Sequence, residues 1–201
     1  MFSGIVETLS KVLEVLPARQ DEQIIRFNIE RPSDYNDLKI GDSICINGIC
    51  LTIESFTEKS IQFCLGSETL SMMNQQFDQW IKYPLNIERS LKFGDRVHGH
   101  LVTGHVDHLA KIHKTYQDGE CWQIEIEISN EFKTFFWKKG SVCLNGVSLT
   151  INSIHQNILS VCLIPETIKA TNLTYFNEGH YLTVESDYLA KAYFNLKVKD
   201  Q

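Results

Sequence analysis

Long apolar runs are missing from this chain. Its hydrophobic stretches are no longer than a strand, far short of the roughly 20 residues that a membrane-spanning helix needs. The N-terminal MFSGIVETLS has neither the positive start nor the apolar core of a secretory leader, so a cytoplasmic location is expected. Positive charge is in short supply too. Nineteen Lys and Arg stand against 25 Asp and Glu, for a formal net charge of −6. That balance excludes a basic stripe for nucleic acid or an anionic membrane surface. The six cysteines, at 45, 50, 64, 121, 143 and 162, form no CxxC pair and no disulfide-framework spacing. Reduced, mostly buried thiols are expected. The chain has no GxGxxG or Walker loop, no GxSxG elbow and no Ser/His/Asp order. A nucleotide cofactor cradled by a glycine-rich loop is therefore excluded.

What the chain does contain is itself, twice. GDSICINGICLTI (41–53) returns 98 residues later as KGSVCLNGVSLTI (139–151), with seven of thirteen positions identical. At the same offset CLGSETLSMMN (64–74) meets CLIPETIKATN (162–172). GIVETLSK (4–11) meets GHVDHLAK (104–111), and PLNIERS (84–90) meets YLTVESD (181–187). The offset drifts only between 97 and 100, so one module of about 97 residues is used twice and two similar domains are expected.

The module reads as β. IIRFNIE (24–30), SIQFCL (60–65) and WQIEIEI (122–128) are rich in Ile and Phe and largely alternate apolar with polar. Asn47-Gly48 and Asn145-Gly146 predict tight hairpins, because both central residues of a type I′ turn need positive φ. Turn signals every 8–12 residues favour small barrels over an open sheet. Helix is scarce. A short turn is predicted in each of ETLSMMNQQF and ETIKATNLTYF, and only DYLAKAYFNLKV shows a spaced apolar face, at Leu189, Ala192, Tyr193 and Leu196. That helix either associates with another copy or packs on its own domain.

Symmetry makes the asymmetric positions informative. Cys50 stands opposite Ser148, one short polar nucleophile replaced by another, where a purely structural site would accept Val or Ala. His105 stands opposite Ile5, and Asp187 opposite Ser90. Asp187 also sits where it could cap the last helix. Glu68-Thr69 and Glu166-Thr167 are kept in both copies and serve the scaffold or a shared ligand shape. Lys139 reads as a surface lysine. Five histidines crowd into VHGHLVTGHVDHLAKIH, where His98 and His100 would share a face if the segment were a strand. Their spacing matches no HExxH or finger pattern, and no metal site is expected.

MFSGIVE, INGICLTI, NIERSLKFGDRVHGHLVTGHVD, KGSVCLNGVSLTI, LIPETIKATNL and VESDYLAKAYFNL, in that order from residue 1 to about 196, resemble riboflavin synthases of the α-chain type. The resemblance implies an all-β fold: two tandem, similar Greek-key six-stranded β-barrels plus a C-terminal α-helix. The units would be a lumazine-binding barrel at 1–97, a second at 98–187 and a helix or tail at 188–201. It implies a homotrimer to which the helix contributes, with the working site between the N-terminal barrel of one subunit and the C-terminal barrel of its neighbour. The implied reaction is a dismutation. Two molecules of 6,7-dimethyl-8-ribityllumazine exchange a four-carbon unit to give riboflavin and 5-amino-6-ribitylaminouracil, with no metal or organic cofactor.

On the matching positions, the resemblance implies catalytic roles for Cys50 and His105 from the first barrel and for Ser148 and Asp187 from the second, with Ser43 a further candidate. It implies that substrate is gripped around Gly4, Ile5 and Val6, around Cys50, Leu51 and Thr52, and along Leu65, Gly66, Ser67, Glu68 and Thr69. Gly104, His105 and Val106 would add to this, as would Ser148, Leu149 and Thr150 and the run Leu163, Ile164, Pro165, Glu166, Thr167 and Ile168, with Lys139 also binding. Ser3 stands where the family more usually has Thr. Ser71 and Met72 replace usually basic residues, and His98 and His108 are departures. Lumazine proteins share the fold without the chemistry, and they tend to lose the Cys-Leu-Thr or the GHV histidine that this chain keeps. Nothing in the sequence marks a contact with lumazine synthase.

Overall fold

The computed structural model describes residues 1–17, 24–73 and 76–199. Asn74, which closes the first CLGSETLSMMN block, and the last two residues of the tail lie outside the described residues.

In the first copy the strands are β1 (Thr8–Ser10), β2 (Val12–Val15), β3 (Ile25–Glu30), β4 (Ser43–Ile46), β5 (Ile49–Thr52), β6 (Ser55–Phe56), β7 (Ser60–Leu65) and β8 (Leu85–Arg89). Between the last two lie helices α1 (Ser67–Met73) and α2 (Phe77–Lys82). The second copy has β9 (His108–Asp118), β10 (Cys121–Glu127), β11 (Ser141–Leu144), β12 (Val147–His155), β13 (Ile158–Leu163) and β14 (Tyr181–Ser186), with α3 (Pro165–Ala170) ahead of β14 and α4 (Tyr188–Lys199) after it.

The second copy is a closed, antiparallel six-stranded barrel in the order β10-β13-β12-β11-β14-β9. Strands β11, β12 and β13 are consecutive neighbours and β14 returns beside β11, which is a Greek key. The first copy divides the same ring into two four-stranded sheets, β1-β8-β4-β5 and β2-β3-β7-β6. Joining β1 to β2 and β5 to β6 restores the order of the second. The β5/β6 break falls where β12 carries a bulge, between Ile151 and Ser153. An extra residue at that corner is accommodated by a bulge in one copy and by an interruption in the other.

Each barrel is filled by the inward residues of its alternating strands. Phe27, Ile29, Ile61 and Phe63 meet Trp80 of α2 in the first, and Ile124, Ile126, Val161 and Leu163 meet Leu173 and Phe176 in the second. Burying each such side chain contributes about 1.5–3 kcal/mol. Both Asn-Gly turns form as predicted, with φ of 45° and 87° at Asn47 and Gly48 and of 46° and 80° at Asn145 and Gly146.

Those two turns face each other and weld the copies together. Asn86 Nδ2 donates to the Asn145 carbonyl (2.8 Å), and Thr183 Oγ1, at the equivalent position, donates to the Asn47 carbonyl (2.5 Å). Asn172 Nδ2 donates to Asn47 Oδ1 (2.9 Å). Phe2 and Val102, repeat partners, exchange both backbone hydrogen bonds (2.8 and 3.1 Å) in an isolated antiparallel bridge. Around it Phe2, Val102, Cys45 and Cys143 form a buried cluster between the barrels. Burial pushes both thiols well up from their ordinary pKa. Cys45, Cys50, Cys121, Cys143 and Cys162 are in no disulfide.

This bridge lets each copy's leading segment cross to the other barrel. Val6 packs on the core of the second barrel, and Val106 packs on the core of the first.

Candidate active site

On β5 the side chains alternate, so Ile49 and Leu51 are buried while Cys50 and Thr52 point outward. The segment crossing from the second copy lies against this strand, and the Cys50 N–H donates to the Gly104 carbonyl (2.9 Å). Gly104 has φ +79°, and a Cβ there would stand 2.5 Å from Cys50 Cβ, so only glycine allows so close an approach. His105 follows, exposed, its N–H donating to Thr103 Oγ1 (3.2 Å). Cys50 and His105 share a cavity of about 380 Å³ with Glu68, Thr69, Met72 and Asp107. Sequence partners 55 residues apart are thus brought together by the crossing.

The second barrel repeats the construction with other groups. The Ser148 N–H donates to the Gly4 carbonyl (2.7 Å), Gly4 has φ +73°, and its Cβ would meet Ser148 Cβ at 2.7 Å. Ser148 lines a cavity of about 200 Å³ with Ile5, Val6, Glu166, Thr167 and Thr171. His100 Nδ1 lies 2.7 Å from Ser148 Oγ. Burial lowers the His100 pKa, opposed in part by the charge of Asp187, so the imidazole is held neutral and can take the hydroxyl proton when Nε2 carries its hydrogen. His100 lies in the connection between the copies and has no partner at the repeat offset, which is why comparing the copies passes over it. VHGH is irregular backbone and not a strand: His98 is exposed, whereas His100 is turned inward.

A pair of carboxylates, shared by the copies but given no role by the sequence, grips both crossing segments. Glu88 accepts from Ser3 N (2.7 Å), Ser3 Oγ (2.9 Å) and Gly4 N (3.1 Å). Glu185 accepts from Thr103 N (2.8 Å), Thr103 Oγ1 (2.7 Å) and Gly104 N (2.9 Å). Burial raises the pKa of each above the usual carboxylate range, although these donors favour the charged form.

Other residues implicated by sequence are placed as follows. Asp187 Oδ1 accepts from Leu189 N (2.8 Å), so it does cap α4, and it also acts electrostatically on His100. Ser43 lines a different cavity, of about 500 Å³, with Asp37, Arg89, Ser90 and Lys92. Lys139 is exposed with φ +70°, its N–H bound to the Ile151 carbonyl (2.8 Å). The side chains of Leu51, Leu65, Leu149 and Leu163 are buried in the cores, leaving only their backbone to face a ligand. Thr52 and Thr150 are exposed beyond Cys50 and Ser148, and Gly66, Ser67, Ile164 and Pro165 are exposed at the starts of α1 and α3. Ile168 packs on the second core. Among the described residues no group of three or more His, Cys, Asp or Glu is poised for a metal, and no helix is long and apolar enough to cross a membrane.

Two copies of one strand plan, each with a cavity beside its repeated strand and different polar groups in it, define a tandem-repeat β-barrel protein. The lumazine-binding domain family matches the chain twice, over residues 3–90 and 103–187. The riboflavin synthase of Photobacterium leiognathi is 32% identical over 192 residues, covering 95% of this chain and 86% of its own. That of Buchnera aphidicola subsp. Baizongia pistaciae is 35% identical over 192 residues (94% and 88%), and that of Schizosaccharomyces pombe is 31% identical over 192 (95% and 91%). Among solved structures, LumP complexed with riboflavin superposes with a TM-score of 0.82 at 20% identity, over 92% of this chain and 99% of that one, a likeness of fold. The chain belongs to the riboflavin synthase family of lumazine-binding proteins.

Proposed function

We propose that the chain catalyses the dismutation of two 6,7-dimethyl-8-ribityllumazine molecules into riboflavin and 5-amino-6-ribitylaminouracil, the two substrates exchanging a four-carbon unit. One observation carries the reading: a single backbone plan presents Cys50, beside His105, in one pocket and Ser148, whose hydroxyl lies 2.7 Å from His100 Nδ1, in the other. Identical substrates fit the common plan, and their opposite roles as donor and acceptor of the unit call for the difference.

A proton must leave the C7 methyl of one lumazine, whose anion spreads into the electron-poor ring. A nucleophile or activated water must add to the ring of the other. His105 and Cys50 are the proton carrier and nucleophile in the first pocket, and Ser148 backed by neutral His100 serves the second. General acid–base help of this kind contributes typically about 10²–10⁴-fold, and holding two flat rings in register supplies much of the rest. Residues 1–97 and 98–187 are the two lumazine-binding units, each pocket completed by the segment that crosses from the other unit, and 188–201 serve assembly. Glu68-Thr69 and Glu166-Thr167, which line the two cavities at like positions, grip substrate in both.

The reading includes a cytoplasmic homotrimer with the working site between neighbouring subunits. In its support, α4 leaves Leu189, Tyr193 and Leu196 61%, 62% and 68% exposed, an apolar row that another copy would cover. Sedimentation of the purified chain tests the assembly: a single species at three times the chain mass is expected, and a monomer at working concentration contradicts it. The activity is tested with Cys50→Ala and His105→Ala, each of which should retain lumazine binding while losing most riboflavin formation. Tight fluorescent binding with no turnover by the wild type would instead make this a carrier on the same fold.

A further inference from the structure

The segment that carries His105 is held at both ends by carboxylates. Upstream, Glu185 takes the N–H groups of Thr103 and Gly104. Downstream, Asp107 Oδ2 accepts from Ser186 N (2.7 Å) and Ser186 Oγ (2.6 Å), while Asp107 Oδ1 accepts from Lys191 Nζ (2.9 Å). The Lys191 and Asp107 side chains are only 20% and 11% exposed, so solvent screens this pair far less than a surface ion pair. Lys191 projects from the first turn of α4, its N–H donating to the Asp187 carbonyl (3.1 Å). Its charge also favours the ionised form of Glu185, so one ammonium serves both carboxylates that bracket His105.

The first copy meets the same need without a helix. Glu7, the repeat partner of Asp107, is paired by Arg89 Nε at 2.8 Å, and Arg89 is the repeat partner of Ser186. In the second copy that strand position is serine, and the cation comes from α4 instead. The substitution falls in the copy whose crossing segment bears a histidine in place of Ile5.

We propose that Lys191 is a positioning residue: through Asp107 it holds the segment 103–107, and with it His105, in register over Cys50. The proposal rests on the dismutase reading for its kinetic consequence, but the holding itself is measurable without turnover. The experiment compares the wild type with Lys191→Met, Lys191→Gln and Lys191→Arg as full chains, by amide hydrogen exchange of peptides covering 103–107 and by steady-state riboflavin formation. Each variant is first checked by thermal unfolding, and Lys191→Gln stands in if Lys191→Met does not fold.

Faster exchange in 103–107 is expected for Met or Gln, with kcat lower by roughly tenfold and KM within about twofold, because misplacing a reacting group costs rate more than binding. Lys191→Arg, which keeps the charge, should restore both. Unchanged exchange in that segment overturns the proposal. Faster exchange with unchanged kcat overturns the positioning role, leaving Lys191 as a brace for a segment whose exact placement the reaction does not need. A wild type that forms no riboflavin defeats the dismutase reading separately, and the exchange measurement still decides whether Lys191 holds the segment.

Discussion

Cys50 and Ser148 occupy one position of a repeated strand, and the chemistry of each pocket follows from the histidine laid beside it, His105 from a crossing segment and His100 from the connection between the copies. Replacing either partner in the first pocket should be felt mainly in rate: Cys50→Ala and His105→Ala are each expected to lower kcat by about 10²–10⁴-fold in a riboflavin absorbance assay. A loss under threefold for both would remove them from the chemistry. Gly104→Ala asks an alanine for φ +79° and sets its Cβ 2.5 Å from that of Cys50. The backbone cost alone is about 1–2 kcal/mol, and the clash adds to it, so a clear drop in the denaturant midpoint is expected. His108 offers a pH test. Stacked on Phe132 at 4.7 Å and half-buried, it has its pKa lowered to about 4 by loss of solvation. The unfolded chain therefore binds that proton first, so stability falls as pH drops from about 6.5 towards 4. His108→Phe should flatten that part of the stability curve, and comparing the two proteins cancels the opposite contribution of Glu88 and Glu185. Parallel curves for wild type and variant would refute it. At this scale the sequence was informative wherever the copies disagree, as at Cys50/Ser148 and His105/Ile5. It offered His100 only as one of a cluster of histidines, because that residue has no counterpart in the other copy, and it was silent on Glu88 and Glu185 because agreement between copies does not tell structure from function.

The strands were legible because alternation and the Asn-Gly turns are local signals. The opening of the first barrel into two sheets was not, since whether a corner bulges or breaks depends on packing across the ring. Nor was the crossing of residues 2–6 and 102–106, which rests on one isolated bridge and two carboxylates far away in sequence. That crossing is what assembles each pocket, so it makes a sharp prediction. Phe2 is fully buried between the barrels, and Phe2→Ala should cost about 3–5 kcal/mol in denaturant unfolding. A cost below 1 kcal/mol would mean that the bridge region repacks freely.

For the molecule as a whole, the repeat explains why the copied plan and the altered residues coexist: two like ligands, two unlike tasks. A working site shared between subunits can be tested by mixing Cys50→Ala with Ser148→Ala chains under conditions that exchange subunits. Activity well above either variant alone is expected, because some interfaces then pair an intact first pocket with an intact second one. No gain after demonstrated exchange would place both pockets of one site within a single chain. The most direct test of the dismutase account is simpler. The purified protein is given 6,7-dimethyl-8-ribityllumazine as its sole substrate, with chelator present, and both pigments are followed by absorbance. The account predicts one riboflavin formed for every two lumazines consumed; lumazine bound but unconsumed, or consumed without riboflavin, would contradict it.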